Sequence, residues 1–149
     1  MPRDWSALYQ QKPQPDEGTF FNRDWFRWYN PKNPPQHVNC YMSSDFAVTE
    51  GSGDWTELGA WGIDPQDNLY MLDWWSGQET AYKWIDAALD MVKIHKPLAF
   101  FGESGPIRRS IEPFLKKRMQ ERRIFCRAEW IPRTTDKATS ARSFQARAS

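Results

Sequence analysis

The chain has 149 residues, of which 40% are hydrophobic and 15% aromatic, and its formal net charge is +1. This length suits one domain with a core of ordinary size, and no apolar run approaches the ~20 residues that a membrane-spanning helix needs. The N-terminus lacks the apolar segment of a signal peptide, so we expect a cytoplasmic protein with no membrane partner.

Sulfur and imidazole side chains are too few and too scattered to form a zinc site or a disulfide framework. The chain has two cysteines, Cys40 and Cys126, and two histidines, His37 and His95. None of them has CxxC or HxxxH spacing, so we predict buried, reduced thiols and no organic cofactor. Any metal would be a hard ion with oxygen ligands, Mg²⁺ or Mn²⁺.

The small net charge conceals two halves of opposite sign. Residues 1–103 hold 8 Lys and Arg against 15 Asp and Glu, whereas residues 104–149 hold 12 against 4. An acidic part that can bind cations, joined to a basic part that can bind phosphates, is typical of an enzyme acting on nucleic acid. The alternative is that the basic residues only form the solvated face of a helix.

Residues 1–37 are predicted to form an arm, because five prolines lie between positions 13 and 35 and interrupt regular structure. Its aromatic residues are nevertheless too many for a free linker. We predict a short helix over residues 24–29 whose aromatic side chains dock on a neighbouring surface. That surface is either the following domain or a domain that has been removed.

From residue 38 onwards, to residue 149, the pattern predicts one domain of alternating strands and helices. Three strands come first and form an antiparallel meander, then a helix, a short buried strand covered on both faces, a second helix and a fifth strand. Pro113 is expected to kink the second helix or to mark its first turn. The predicted strands are 38–49, 55–63, 69–75, 98–101 and 124–131, and the predicted helices are 79–95, one from 106 onwards and a weak one at 141–148.

This order predicts an α/β protein with an RNase H-like mixed sheet, three antiparallel strands plus two parallel strands, flanked by helices. In that topology the first and fourth strands are adjacent and parallel. Asp45, in the first strand, and Glu103, after the fourth, should therefore meet at one edge of the sheet. Their separation in sequence does not prevent this, because parallel strands require a long crossover.

Carboxylates at the ends of apolar strands are costly to desolvate unless a positive group meets them. A divalent cation between Asp45 and Glu103 would serve, as in nucleases whose two ions lie ~3.5–4 Å apart. The alternatives are that Asp45 caps nearby backbone and that Glu103 caps the helix beginning at Pro106. For Asp54, which is predicted to cap the glycine-rich turn, a metal role is the alternative. The remaining acidic residues of the meander are predicted to lie in turns or solvent: Asp64, Asp67 and Asp73.

The chain resembles the C-terminal nuclease domain of the large terminase subunit of tailed bacteriophages, which packages and cuts viral DNA. The resemblance extends over almost the whole chain, and it rests on the order and spacing of short motifs. These are ALYQQKP (7–13), GTFF (18–21), SDFA (44–47), DWT (54–56), GAWG (59–62), LYMLD (69–73), FGES (101–104), DK (136–137) and AR (141–142).

The resemblance implies an endonuclease in which Asp45 and Glu103 hold two Mg²⁺ or Mn²⁺ ions and cleave double-stranded DNA. It makes residues 1–37 a connector from an upstream ATPase domain, and implies a small terminase subunit and a portal as partners. No GxxxxGK[ST] loop for ATP occurs here. Such domains also carry a third carboxylate further downstream, so the domain is expected to be incomplete at its C-terminus, with Asp136 a weak substitute.

Two further functions stay open from the residues. One is a non-catalytic DNA-binding or assembly remnant that lacks the third acidic ligand, and the other is a different RNase H-like nuclease such as a junction resolvase. Basic residues that are predicted to contact DNA phosphates independently of sequence are Arg108, Arg109, Lys137, Arg142 and Arg147. Residues 116–118 are equally well explained as a solvated basic face. Trp74 and Trp75 are candidates for stacking on bases, and the alternative is that they pack in the core or form a docking face.

Overall fold

The computed structural model describes residues 21–47, 54–132, 134 and 137–149, without the side chains of residues 137 and 138. These residues fall into two compact units. One spans residues 29–134, and the other contains residues 21–28 and 137–149. The predictions for residues 1–20, for residues 48–49 at the end of the first predicted strand and for Asp136 lie outside the described residues.

A five-stranded mixed sheet runs through the larger unit. Its order is β3-β2-β1-β4-β5. Strand β2 is antiparallel to both β1 and β3, whereas β4 is parallel to both β1 and β5. This is the order and direction of strands in an RNase H-like fold, so the predicted fold class is confirmed. The strands are β1 (Asn39–Asp45), β2 (Thr56–Ile63), β3 (Leu69–Gly77), β4 (Phe100–Glu103) and β5 (Ala128–Ile131).

Two helices of the larger unit, α1 (Ala81–His95) and α2 (Pro106–Arg122), supply the helical side of the core. A third helix, α3 (Lys137–Ala148), belongs to the smaller unit. Each helix of the larger unit ends at a residue in the left-handed conformation, as helices commonly do. None of the helices in the described ranges is long and apolar enough to cross a membrane. The largest fully buried apolar side chains are Met42, Leu58, Leu89 and Leu115.

Ion pairs join α1 to α2. The guanidinium of Arg118 donates to both carboxylate oxygens of Asp86, with N–O distances of 2.8 and 3.1 Å. Arg122 also reaches Asp86, at 3.3 Å, and donates to Asp90 at 2.6 Å. The hydrogen bond from Arg118 is the main reason that the pKa of Asp86 lies below its usual range.

Several predicted boundaries change in the structure. Strand β4 begins and ends two residues later than predicted, so that Glu103 is its last residue. Leu98, which was predicted to begin the strand, precedes it and is 57% exposed. The expectation of a fully covered strand is wrong, because Phe101 on its other face is only half-buried. The fifth strand loses its first four residues, since the backbone N–H of Ile124 donates to the Met119 carbonyl and closes α2 instead.

The predicted helix at residues 24–29 is also wrong. Only a 3₁₀ turn, Arg23–Trp25, forms there, and Phe26 already has extended backbone angles. Six residues are too few to repay helix nucleation without tertiary support. The docking of an arm aromatic is found at Tyr29, whose hydroxyl donates to the Met71 carbonyl at 2.8 Å. Its ring meets Tyr70 edge-on, so this surface belongs to the same unit, on β3.

Pro113 lies inside α2, as its eighth residue, and does not mark the first turn. Because proline has no N–H, the Arg109 carbonyl loses its i→i−4 partner. Pro113 is exposed, so no core packing compensates.

We expect Pro113→Ala to raise the free energy of unfolding by about 2 kcal/mol, the intrinsic helix gain of about 3 kcal/mol less the roughly 1 kcal/mol of unfolded-state entropy that proline removes. Urea denaturation measures this, with Gln120→Ala, another exposed position of α2, as the control. An unchanged or lower stability in Pro113→Ala would show that α2 tolerates the missing hydrogen bond.

Candidate functional site

Asp45 is the last residue of β1, and its side chain is exposed. Side chains alternate between the two faces of a strand, and Met42 of β1 and the following Phe46 are both in the helical core. Asp45 therefore belongs to the opposite face of the sheet, which we call the outer face. The strand alternation that buries its neighbours leaves this carboxylate on the surface.

Glu103 is the last residue of β4. The parallel register pairs Met42 with Phe100 and Ser43 with Phe101. Continued by two residues, the same register brings Asp45 level with Glu103, and neighbouring strands lie about 4.8 Å apart. The predicted convergence of the two carboxylates at one edge of the sheet thus agrees with the strand pairing.

The two carboxylates also share a face. Gly102 is on the core side, because a Cβ added there would meet Trp130 at 2.8 Å and Phe46 at 3.2 Å. Its neighbour Glu103 therefore belongs to the outer face. The ring of Tyr41, four positions before Asp45, meets on that face the ring of Phe101, two positions before Glu103, with centroids 6.2 Å apart.

The donor set fits one hard cation. Mg²⁺ and Mn²⁺ prefer carboxylate oxygens, and Mg²⁺ commonly binds through one or two carboxylates while it keeps several waters. Two strand-end carboxylates on one face satisfy that requirement. Within the described ranges no three Asp, Glu, His or Cys side chains come together as a metal-binding group. A second ion therefore has no further ligand among these residues.

Glu57 is an acidic neighbour that the sequence analysis missed. It is the cross-strand partner of Asp45 in the antiparallel β1–β2 pairing. Its carboxylate accepts hydrogen bonds from the indole of Trp74, at 2.7 Å, and from the hydroxyl of Ser76, at 2.6 Å. Strand register is the signal that identifies it, because Glu57 lies outside every motif considered above.

The other acidic residues of the meander have structural partners. Asp64 accepts from the backbone N–H groups of Gln66 and Asn68, both at 2.9 Å, in the β2–β3 turn. The side chain of Asn68 is the main cause of a lowered pKa at Asp64. Asp73 is not simply in solvent as predicted, since it lies 2.9 Å from His95 of α1.

Asp54 precedes β2 by two residues, and Asp67 occupies the left-handed conformation in the turn. Neither is part of the strand-end pair.

The predicted DNA-binding residues are divided between the two units. Arg108 and Arg109 lie in the first turns of α2, whereas Arg142 and Arg147 lie in α3 of the smaller unit, which Lys137 begins. Arg108 is already engaged, because its Nε donates to Glu112 at 3.0 Å and its guanidinium lies over the Trp130 ring. Arg109 is exposed.

The basic run at 116–118 forms ion pairs with acidic side chains. Lys116 lies 3.4 Å from Glu112 and Lys117 lies 3.9 Å from Glu121. Together with the Arg118–Asp86 pair, these contacts agree with the solvated-face interpretation of this segment. Its charge is locally balanced, so it is a weaker phosphate-binding candidate than Arg109.

Comparisons with known proteins give a weak structural similarity. No family model and no curated protein matches the chain. Among solved structures, the chain is similar to the fowlpox virus resolvase in complex with its substrate Holliday junction DNA, at 9% identity and a TM-score of 0.44. The similarity covers 65% of this chain and 62% of the resolvase, so the chain spans less than two thirds of that protein. Similarity at this level carries no argument about function, and the RNase H-like fold rests on the strand order.

Proposed function

We propose that residues 29–134 form the core of a metal-dependent DNA endonuclease. The observation that carries this proposal is the position of Asp45 and Glu103, which end adjacent parallel strands on the outer face of an RNase H-like sheet. Strand ends in parallel β-structure are a common location for ligand-binding residues. A pair of carboxylates at the ends of two neighbouring strands is the arrangement that a bound cation requires.

In this proposal the carboxylates of Asp45 and Glu103 hold a Mg²⁺ or Mn²⁺ ion. Such an ion supplies Lewis-acid polarisation of a phosphate and lowers the pKa of a water molecule. The strands position both residues from the backbone, which keeps the site rigid.

Arg109 is the proposed contact to the DNA backbone within this unit. It lies six residues after Glu103, in the first turns of α2, and it is exposed. A contact of this kind is independent of base sequence and weakens as salt concentration rises. Arg142 and Arg147 of α3, with Lys137, are proposed to add charge of the same kind from the smaller unit.

The finer proposal is that the endonuclease belongs to a terminase large subunit. It is supported by the order and spacing of the sequence motifs, which extend from the arm to the basic stretch near residue 142. The expected partners are double-stranded DNA, an upstream ATPase domain, a small terminase subunit and a portal. The third carboxylate of such domains then lies outside the residues that the structure describes.

Cleavage of supercoiled plasmid tests the nuclease proposal. We expect Mn²⁺-dependent nicking by the wild-type protein, none with EDTA, and a loss of at least a hundredfold in Asp45→Asn. Asp67→Asn is the matched control, because asparagine tolerates the left-handed backbone of that turn. Asp67 lies in the turn after the end of β2, whereas Asp45 pairs with a residue near the start of β2. The Asp67→Asn protein should therefore cleave at the wild-type rate.

Equal nicking by wild type and Asp45→Asn would contradict the nuclease site. A second candidate function, a non-catalytic DNA-binding remnant, is favoured by the lack of a three-ligand group among the described residues. It predicts no nicking at any Mn²⁺ concentration, together with salt-sensitive DNA binding that Arg109→Ala weakens.

A further inference from the structure

We propose that Trp74 is a stacking platform for an unpaired base, so that the enzyme prefers DNA with unpaired nucleotides beside the cleavage position. This inference rests on the proposed nuclease function and names its substrate class. Trp74 is 48% exposed although it lies within a strand. A half-exposed indole in a sheet offers a flat apolar surface that is favourable to cover.

A β-bulge is the reason that Trp74 lies on the outer face. The β2–β3 register pairs Ala60 with Asp73 but Trp61 with Met71, which leaves Leu72 as the extra residue. Leu72 packs against the core and Asp73 contacts His95 of α1, so two consecutive side chains lie on the helical side. The residue that follows them is thereby directed outward, and bulges often redirect side chains near functional sites.

The Trp74 indole is held in one orientation by several contacts. Its Nε1 donates to Glu57 at 2.7 Å, and its ring meets that of Trp61 at 88° with centroids 6.2 Å apart. Gly59 makes room for both rings, because a Cβ there would lie 2.7 Å from Trp61 and 3.2 Å from Trp74. A fixed ring loses little conformational entropy when it binds a planar ligand.

The platform is connected to the strand that ends at Asp45. The indole of Trp61 donates to the hydroxyl of Ser43, at 2.9 Å, on the same face as Asp45. Two strand spacings and two residues along the strand separate Trp74 from Asp45, about 12 Å between backbones. One DNA strand advances about 3.4 Å per nucleotide in a duplex, so a strand at the carboxylates places a base a few nucleotides away over Trp74.

An unpaired base is the ligand that fits these surroundings. The carboxylate of Glu57, which accepts from the Trp74 indole at 2.7 Å, disfavours a phosphate on the ring, whereas a neutral base stacks on an aromatic face regardless of its identity. Bases inside a continuous duplex already have both faces covered by neighbours. A bulge, a flap, a branch or a duplex end presents a free face, and two duplexes of the same sequence share the same ends.

The test compares two labelled duplexes of the same sequence, one fully paired and one with a three-nucleotide bulge, by fluorescence anisotropy in EDTA so that no cleavage occurs. We expect wild type to bind the bulged duplex more tightly. Trp74→Leu should lower affinity for the bulged duplex about tenfold and leave the paired duplex unchanged. Trp74→Phe, which keeps an aromatic ring without the N–H, should retain most of the preference.

Trp28→Leu is the matched control, because Trp28 is 84% exposed and belongs to the other unit. An unchanged preference in a folded Trp74→Leu would overturn this inference, while Asp45-dependent cleavage would leave the nuclease proposal standing. Wild-type protein that binds neither duplex would also overturn this inference, while the Mn²⁺-dependent nicking assay decides the nuclease proposal separately. A loss of self-association in Trp74→Leu, measured by light scattering, with DNA affinity unchanged, would assign Trp74 to a protein contact instead.

Discussion

Titration of the protein with Mn²⁺ is expected to show one ion bound per chain, with the affinity lowered at least tenfold by Asp45→Asn or Glu103→Gln. Each substitution keeps the shape of the side chain and one of its oxygens but removes one of the two negative charges of the site. Hard divalent ions bind carboxylates chiefly through that charge, and a tenfold change corresponds to about 1.4 kcal/mol. The magnetic resonance signal of free Mn²⁺ measures the bound fraction directly.

Asp67→Asn is again the control, and it should bind Mn²⁺ as wild type does. Two ions of similar affinity per chain would contradict the single-ion site and require a further ligand. Unchanged affinity in both Asp45→Asn and Glu103→Gln would remove the strand-end site altogether. Because this titration needs no DNA, it separates failure of metal binding from failure of cleavage.

Asp86→Ala is expected to lower the free energy of unfolding by about 2 kcal/mol, the upper range for hydrogen bonds to charged groups in a partly exposed position. Among the described residues, the substitution leaves Arg118 with Glu121 as its carboxylate partner, and Arg122 with Asp90 and the backbone carbonyl of residue 86. It therefore weakens the connection between α1 and α2. Urea denaturation gives the value, and Glu79→Gln, which breaks a surface pair with Lys83, should change stability little.

The effect of Asp86→Ala should depend on pH. Arg118 lowers the pKa of Asp86 in the folded protein, so the carboxylate stabilises the fold above its unfolded pKa of about 3.9. That stabilisation is lost as the pH falls through the lower, folded value. The difference between wild type and Asp86→Ala should accordingly be constant near neutral pH and shrink below about pH 4. A difference that stays constant to pH 2 would exclude the ion pair as its source.

The order of elements was predictable because periodicity along the chain reflects local backbone geometry. Strand alternation and the helical stripe of residues 79–95 identified the first three strands and α1 closely, and strand order then brought Asp45 and Glu103 together. The start of β4 was predicted two residues too early because Leu98 is apolar, although it is exposed in the structure. Apolar character alone does not distinguish a buried strand from the segment that leads into it.

Glu57 and the outward position of Trp74 could not be predicted in this way. Glu57 becomes a neighbour of Asp45 only through the antiparallel register, which the sequence does not state. The bulge at Leu72 reverses the alternation within β3, so a strict two-residue period places Met71 and Trp74 on opposite faces. Both features depend on how the strands pair with one another, and the hydrophobic pattern along the sequence does not show this pairing.

The contact between Tyr29 and β3 has a consequence for how the molecule avoids aggregation. Strand β3 is an edge of the sheet, and edge strands with free backbone groups invite pairing with another chain. Here the Met71 carbonyl accepts from the Tyr29 hydroxyl, and the backbone N–H of Trp74 donates to the side chain of Asp73. Part of the open edge of β3 is thus already hydrogen-bonded within the molecule, and the contribution of Tyr29 from the arm opposes β-pairing with another chain.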